Sequence, residues 1–382
     1  MEQAKLNESS ALKIVHLITT LDTGGAEVML LRLLSRMNPD LFSNSVVSLI
    51  KPGVIGSRIH SFGIPVRHLG FSLGRISFSG LVKLYCFLRK IRPDILQTWM
   101  YHANILGSVT AVMSGIPVIW NIQASIRQIR GYKPLTLLLV ALGSVLSRPT
   151  RAIVFNSMKG MLDHEKIGYR SRRNLFIPNG FDTDDYRPNP AIRDEVKKEL
   201  SIPDNTLCVG LLARFHPVKD HRLFLEAAQI INQKGICAHF ILCGDRVDCD
   251  NQELMKWIGE LHLSSVVHLL GRREDMPSIM TAMDTIVSCS VSEGFSNVIG
   301  EAMACGVPCV VTDVGDSSLI VGETGRVISS RSPDALAQAV VDLLQSPEKR
   351  KALGDRARNR IKEHFSLDEV VKKYETLYLQ VT

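Results

Sequence analysis

Short runs of consecutive apolar residues alternate with amphipathic stretches along almost the whole chain. Leu12–Leu21 is the first run, followed by Val46–Ile50, Ile95–Thr98, Val118–Ile122 and Ala152–Phe155. Between them Ala26–Met37, Gly80–Ile91 and Asn104–Met113 carry apolar residues at helical spacing. Nearly unbroken apolar strands alternating with helices predict a parallel sheet covered on both faces. The segment Phe181–Pro203, rich in Asp, Pro and Asn, interrupts the pattern and reads as a linker running into a short charged helix. The alternation then restarts with Leu207–Leu212, Ala238–Cys243, Val266–Leu269, Thr285–Ser288 and Pro308–Thr312 as strands, while Asp334–Thr382 reads as helix throughout. Two doubly wound α/β domains in tandem are expected. In such sheets ligands sit beyond the carboxyl ends of the strands, so the strand-to-helix turns facing the cleft between domains are where chemistry should gather.

A length of 382 residues suits two or three domains, and 45% hydrophobic with 22% charged residues is a globular composition. No apolar run reaches the roughly 20 residues of a spanning helix. The N-terminal stretch carries Glu2 and Glu8 and no small-residue cleavage signal, so a cytoplasmic chain is expected. The eight cysteines include no CxxC pair and mostly lie in apolar runs, where thiols behave as small hydrophobes. Cys305 and Cys309 flank a Gly-Val-Pro turn, weak grounds for a metal, and no metal ligand or cofactor is expected.

Charge is distributed unevenly. Residues 1–185 hold 22 Lys/Arg against 11 Asp/Glu, whereas the remainder holds 23 against 27, within an overall net charge of +7. The excess concentrates between Arg127 and Arg173, where ten basic residues meet only Asp163 and Glu165. Inside that stretch Pro134–Ser147 is uncharged, flanked by Lys133 and Arg148. It is too short to cross a bilayer. It reads either as a buried core helix or as an interfacial helix on an anionic membrane. Nucleic acid is not expected, since no RNP-like, zinc-finger or basic-zipper pattern accompanies the charge.

The candidate chemistry lies at turns. Gly24 and Gly25 follow the first strand and open a helix, letting backbone approach a ligand with helix N–H groups aimed at negative charge. Arg214 and Lys219 stand just past a later strand, and two cations there suit a diphosphate. No GxGxxG or GxxxxGK[ST] pattern occurs. In Ser290–Gly315, Glu293 and Glu301 are eight residues apart with Gly294 between them, so one continuous helix is not expected to carry both. A helix beginning near Asn297 would present the N–H groups of Phe295, Ser296 and Asn297 to an anion, with Glu301 one turn in to accept from ribose hydroxyls. Glu293 would then project from the loop beyond the phosphates. Two acceptors around an anion site describe a nucleotide sugar. His102, in Gln97–Asn104, is expected at a strand end, either facing a sugar or packed on Trp99.

The Glu293–Glu301 segment resembles the E-x7-E signature of retaining GT-B glycosyltransferases, specifically glycosyltransferase family 4. Gly24-Gly25 resembles that family's N-terminal glycine loop, Ile177-Pro-Asn-Gly180 with Asp182 its interdomain segment, and Arg214 with Lys219 its diphosphate-binding pair. Cys243-Gly-Asp245 resembles a strand-end GDG in which Arg246 replaces the second glycine, and Gly271–Pro277, with Arg272, the loop holding the nucleotide base. The resemblance implies a GT-B fold of two Rossmann-like domains facing a central cleft: 1–182 for the acceptor, 183–365 for the donor, and helix 366–382 crossing back. It implies hexosyl transfer with retention and without a divalent metal, from a nucleotide diphosphate sugar, taken as UDP-linked. The acceptor is expected to be lipid-linked or a surface-polysaccharide precursor at the inner membrane face. Glu293, Arg214, Lys219 and His102 carry catalysis in this reading; Gly24, Gly25, Arg272, Phe295, Ser296, Asn297 and Glu301 bind donor. Asp182-Thr-Asp184 has DxD spacing but lies in the linker. Where many relatives read Ile-Trp-Asn-Ile-Arg-His-Ser, this chain has Gln123 and Ala124 for the Arg-His pair. His102 or Arg127 then covers the lost contact, the sugar is held differently, or activity is reduced. A non-catalytic GT-B module and a GT-B nucleotide-sugar epimerase are the alternative functions.

Overall fold

The computed structural model describes residues 11–51, 53–71, 78–126, 134–329 and 331–382. They form two compact units, one of the described residues up to Gly180 with Leu367–Thr382 and the other of those within Phe181–Ser366.

The first unit runs β1 (Leu12–Ile18), α1 (Gly25–Arg36), β2 (Phe42–Ser48), α2 (Val54–Ser61), β3 (Val66–His68), α3 (Phe78–Ile91) and β4 (Ile95–Trp99). It continues with α4 (Met100–Ser114), β5 (Val118–Ile122), α5 (Pro134–Leu146), β6 (Ala152–Phe155), α6 (Met158–Lys166) and β7 (Asn174–Phe176). The sheet order is β3-β2-β1-β4-β5-β6-β7, every pair parallel, with Ile18 opposite Trp99 and Trp99 opposite Asn121 at its centre. Two apolar clusters cover its faces, as a parallel sheet requires.

The second unit runs α7 (Pro190–Glu199), β8 (Leu207–Leu212), a 3-10 turn at Pro217–Lys219, α8 (His221–Gln233), β9 (Ala238–Cys243), α9 (Gln252–Glu260) and β10 (Val267–Leu269). Then come α10 (Met276–Thr281), β11 (Thr285–Ser288), α11 (Asn297–Ala304), β12 (Cys309–Thr312), α12 (Ser317–Val321), β13 (Arg326–Ile328), α13 (Pro333–Leu344) and α14 (Pro347–His364). Its parallel order is β10-β9-β8-β11-β12-β13. The unit is tied shut where the chain enters and leaves it: Phe181 bridges Ser366, and its N–H donates to Phe365 O at 2.9 Å. Phe181 is fully buried and stacks on Phe295, its ring fitted against Gly300 so closely that a Cβ there would lie 2.1 Å away.

α15 (Leu367–Val381) returns to the first unit and packs on the sheet face that carries His16, Gln97 and Asn121. These polar side chains are fully buried, so each needs a partner to offset lost hydration. Asn121 Nδ2 donates to the Tyr374 hydroxyl at 2.6 Å, and the Tyr378 hydroxyl donates to Gln97 Oε1. Trp99 Nε1 donates to His16 Nδ1 at 3.4 Å, leaving His16 Nε2 to donate to Asn44 Oδ1 at 3.0 Å. Trp99 packs against His16, their ring centroids 6.3 Å apart.

No helix among the described residues is long and apolar enough to cross a membrane.

Candidate active site

In the second unit the predicted residues stand at the carboxyl ends of adjacent strands. β8 ends at Leu212, and the chain turns through Arg214 and the 3-10 turn to Lys219 before α8. The neighbouring β11 ends at Ser288 and delivers the loop holding Glu293. Val291 N donates to Val218 O at 2.8 Å, and the buried Cys289 thiol donates to the carbonyls of Lys219 and Asp220. These bonds hold the two loops together. Lys219 Nζ then pairs with Glu293 Oε1, which also accepts from Ser290 Oγ at 2.7 Å. Thr312 donates in turn to Ser290 O at 2.7 Å.

α11 begins at Asn297, where the spacing of Gly294 and Glu301 places it. Its N-cap, Ser296, makes no side-chain capping bond, so the first-turn N–H groups lack that partner. Glu301 lies one turn into the helix and, like Glu293, Phe295 and Ser296, is buried. Gly315 backs the Glu293 loop. Its φ is +51°, and a Cβ would lie 2.4 Å from Glu293 O and 2.5 Å from Gly294 O, while Asp316 N donates to Gly294 O at 2.9 Å.

Arg214 is exposed and makes no side-chain hydrogen bond or ion pair among the described residues. Its backbone lies against Gly244, whose Cβ would come within 2.4 Å of Ala213 O, and His221 Nε2 contacts the same carbonyl at 3.2 Å. Arg246, in the place of the resembled second glycine, has φ +58° and stacks over Phe215. Arg272 is exposed beyond β10, separated from β11 by β9 and β8. Its neighbour Arg273 is committed to Glu199 and Asp275, which holds both carboxyls below their usual range.

The first unit carries the remaining predicted residues. Gly24 is the N-cap of α1 and offers no side chain, but the Glu27 carboxylate folds back over it, 2.3 Å from where a Gly24 Cβ would be. Burial raises the pKa of Glu27 above the usual carboxylate range. His102 is not at a strand end. β4 stops at Trp99, Met100 makes the turn at φ +69°, and His102 sits in the first turn of α4, half-buried, its pKa lowered by desolvation. Gln123 follows β5 with both amide atoms buried and without a partner among the described residues; Ala124 beside it is buried. Arg127 and Lys133 lie outside the described residues.

Among the described residues no group of three His, Cys, Asp or Glu could hold a metal ion. Asp182 Oδ1 accepts the N–H groups of Asp184 and Asp185, a local turn. Cys305 and Cys309 are both buried, which pushes the first thiol up to about 12 and the second higher still.

Sequence reasoning passed over Ser290, Glu27 and the role of Gly315. Only Ser290 left a readable signal, its three-residue spacing from Glu293.

Comparison with known proteins places this arrangement. Residues 23–185 match the model of Glycosyltransferase Family 4, and residues 204–346 that of Glycosyl transferases group 1. The putative glycosyltransferase EpsF of Bacillus subtilis is 26% identical over 80% of each chain. The UDP-Gal:α-D-GlcNAc-diphosphoundecaprenol α-1,3-galactosyltransferase of Escherichia coli is 26% identical over 85% of this chain and 84% of its own. Among solved structures, Anabaena HepE in complex with UDP and glucose superposes with a TM-score of 0.85 at 22% identity, covering 97% of this chain and all of its own. The lipopolysaccharide glycosyltransferase WaaG gives a TM-score of 0.73 at 13% identity over 96% of this chain and 99% of its own. Two parallel α/β units of this kind are a GT-B fold, and the chain belongs to the family 4 glycosyltransferases.

Proposed function

We propose that the chain moves a hexosyl residue from a UDP-linked sugar to a lipid-linked or surface-polysaccharide acceptor, with retention and without a divalent metal. The observation that carries the reading is the junction of Arg214, Lys219 and Glu293 at the ends of β8 and β11. Beside it in sequence stands the side-chain-uncapped start of α11 with Glu301 one turn in. The diphosphate takes the N–H groups of Phe295–Asn297, Glu301 accepts from the ribose, and the loop with Arg272 borders the base. Glu293 reaches the sugar hydroxyls. Arg214 and Lys219 face the charge that builds on the departing diphosphate, the role a metal plays elsewhere. Gly24, Gly25 and His102 serve the same reaction from the first unit, which takes the acceptor. The Escherichia coli relative uses UDP-Gal and a diphosphoundecaprenol-linked sugar, and others act in capsular and lipopolysaccharide-core synthesis. These names support a polyprenyl-linked or surface-glycan acceptor here.

The test is thermal unfolding against UDP-, GDP- and ADP-sugars, wild type beside Glu301→Ala. A ligand at about 100 times its Kd stabilises by about 2.7 kcal/mol. A shift with UDP-sugars alone, lost in the variant, is expected. Transfer in the presence of EDTA, with an α-linked product by NMR, completes the reading. Binding without turnover on any acceptor would favour a non-catalytic module, for which Ala124 is the one supporting feature. Conversion of UDP-sugar alone would mean an epimerase.

A further inference from the structure

The uncharged Pro134–Leu146 segment is neither fully buried nor masked by polar residues. α5 turns Leu139 and Val140 inward and packs Gly143 against the Tyr169 hydroxyl. Its outward side exposes Leu137, Leu138, Leu142 and Val145, the last by 59%. The adjoining α4 adds Val109, Val112 and Met113, with Val112 exposed by 69%. Seven of the seventeen exposed large apolar side chains among the described residues thus lie on two neighbouring helices. A helix facing only water would put charged residues at these positions.

The charge is placed at one end of this face. Arg148 and Arg151 follow α5 directly, and a cavity of about 210 Å³ lined by Val112, Thr150, Arg151 and Arg172 joins the apolar surface to two guanidinium groups. Neither side chain makes a hydrogen bond or ion pair among the described residues, and no acidic residue lines the cavity. Next to it, sharing Gly115–Pro117, lies a second cavity lined by Arg89, Arg92 and Asp94.

We propose that the outer face of α4 and α5, with Arg151 and Arg172 at its foot, is a docking surface for an anionic lipid bilayer. The pairing of an apolar face with unpartnered arginines matches the two layers of a membrane surface, acyl chains beneath phosphates. At 13 residues α5 is about 20 Å long, enough to lie in the interface and too short to span it. The surface refines the acceptor reading above, since it would hold the first unit where lipid-linked substrates reside. Adsorption itself needs no nucleotide, so its failure and failure of the donor reading are separate results.

The experiment is co-sedimentation of the full chain with phosphatidylcholine vesicles, with or without phosphatidylglycerol, at low and high salt. The variants are Arg151→Gln with Arg172→Gln, and Leu138→Glu with Leu142→Glu, with circular dichroism and the thermal unfolding midpoint as the folding control. Binding only to the anionic vesicles, weakened by salt, is expected. Removing the two arginines should weaken it roughly 25-fold, and the two glutamates should abolish it. Equal binding to both vesicle types, or anionic binding that survives both variant pairs, overturns the proposal. So does an absence of vesicle binding together with a solution dimer that Leu138→Glu with Leu142→Glu dissociates, which would make this face a contact between copies.

Discussion

Lys219 Nζ is paired with Glu293 Oε1, across the boundary between the two central strands of the second unit. Both side chains are mostly withdrawn from water, so the pair is weakly screened and each partner fixes the other. Ser290 donates to the same oxygen, so in the proposed reading Oε2 is the one that would meet a sugar hydroxyl. Lys219→Ala and Glu293→Gln should each lower kcat by about 10²–10³-fold. Because the side chains share one contact, the double variant should lose much less than the product of the two. A kinetic cycle with saturating donor measures this, and strict multiplicativity would mean that the pair does not act as a unit.

Gly315 backs the main chain that carries that carboxylate. Gly315→Ala would push a methyl group into the Glu293 and Gly294 carbonyls at a left-handed φ. The expected loss is about 1–3 kcal/mol of stability, with a fall in kcat larger than the rise in donor KM. Chemical denaturation and steady-state kinetics on the same preparation read both.

Arg246 adopts a left-handed conformation that costs a non-glycine residue roughly 1 kcal/mol. Arg246→Gly should relieve that strain and lose the stacking on Phe215, leaving the melting temperature unchanged or slightly raised. If donor affinity falls while stability holds, the guanidinium is a donor contact, and the departure from the resembled GDG is functional.

His16, His164 and His221 are buried and their pKa values are lowered to about 4, chiefly by desolvation. Below the unfolded value of about 6.5 the unfolded chain binds protons that the native one refuses, so unfolding becomes easier as pH falls. Stability should be level above pH 7 and decline below about 6.5, each histidine adding up to about 1.4 kcal/mol per pH unit until its folded pKa is reached. Urea midpoints followed from neutral to mildly acidic pH measure the slope; a flat profile would mean that these sites are open to solvent.

The central strands were legible because unbroken apolar runs have no other placement in a two-layered parallel sheet. β3, β7 and β13 were not, since each has three residues with at most one of them buried, whereas the equally short β10 showed through the run Val266–Leu269. They are edge strands, where no continuous run is demanded. The turns around Glu293 and Glu301 were readable because Gly294, Gly306 and Pro308 break the helix at places that only one arrangement of the two glutamates accommodates. His102 was misplaced by one element because Met100 makes the whole strand-to-helix turn at a positive φ, which no methionine announces. The contact of Trp99 with His16 was not legible, because this strand neighbour is distant in sequence and adjacent in space. For the Pro134–Leu146 segment, composition left the buried and interfacial readings open, and the burial of one side only excludes the first.

α15 gives the order of synthesis a consequence. Tyr374 and Tyr378 supply hydroxyls to Asn121 and Gln97, residues that leave the ribosome more than 250 positions earlier. While Phe181–Ser366 emerges, the part of the first sheet's face that α15 covers lies open beside α1 and its buried amides are unmatched. The second unit, encoded without interruption, can close first. The amino-terminal half of this chain is thus the last to finish folding, and in the meantime its uncovered strands are the surface a chaperone would hold.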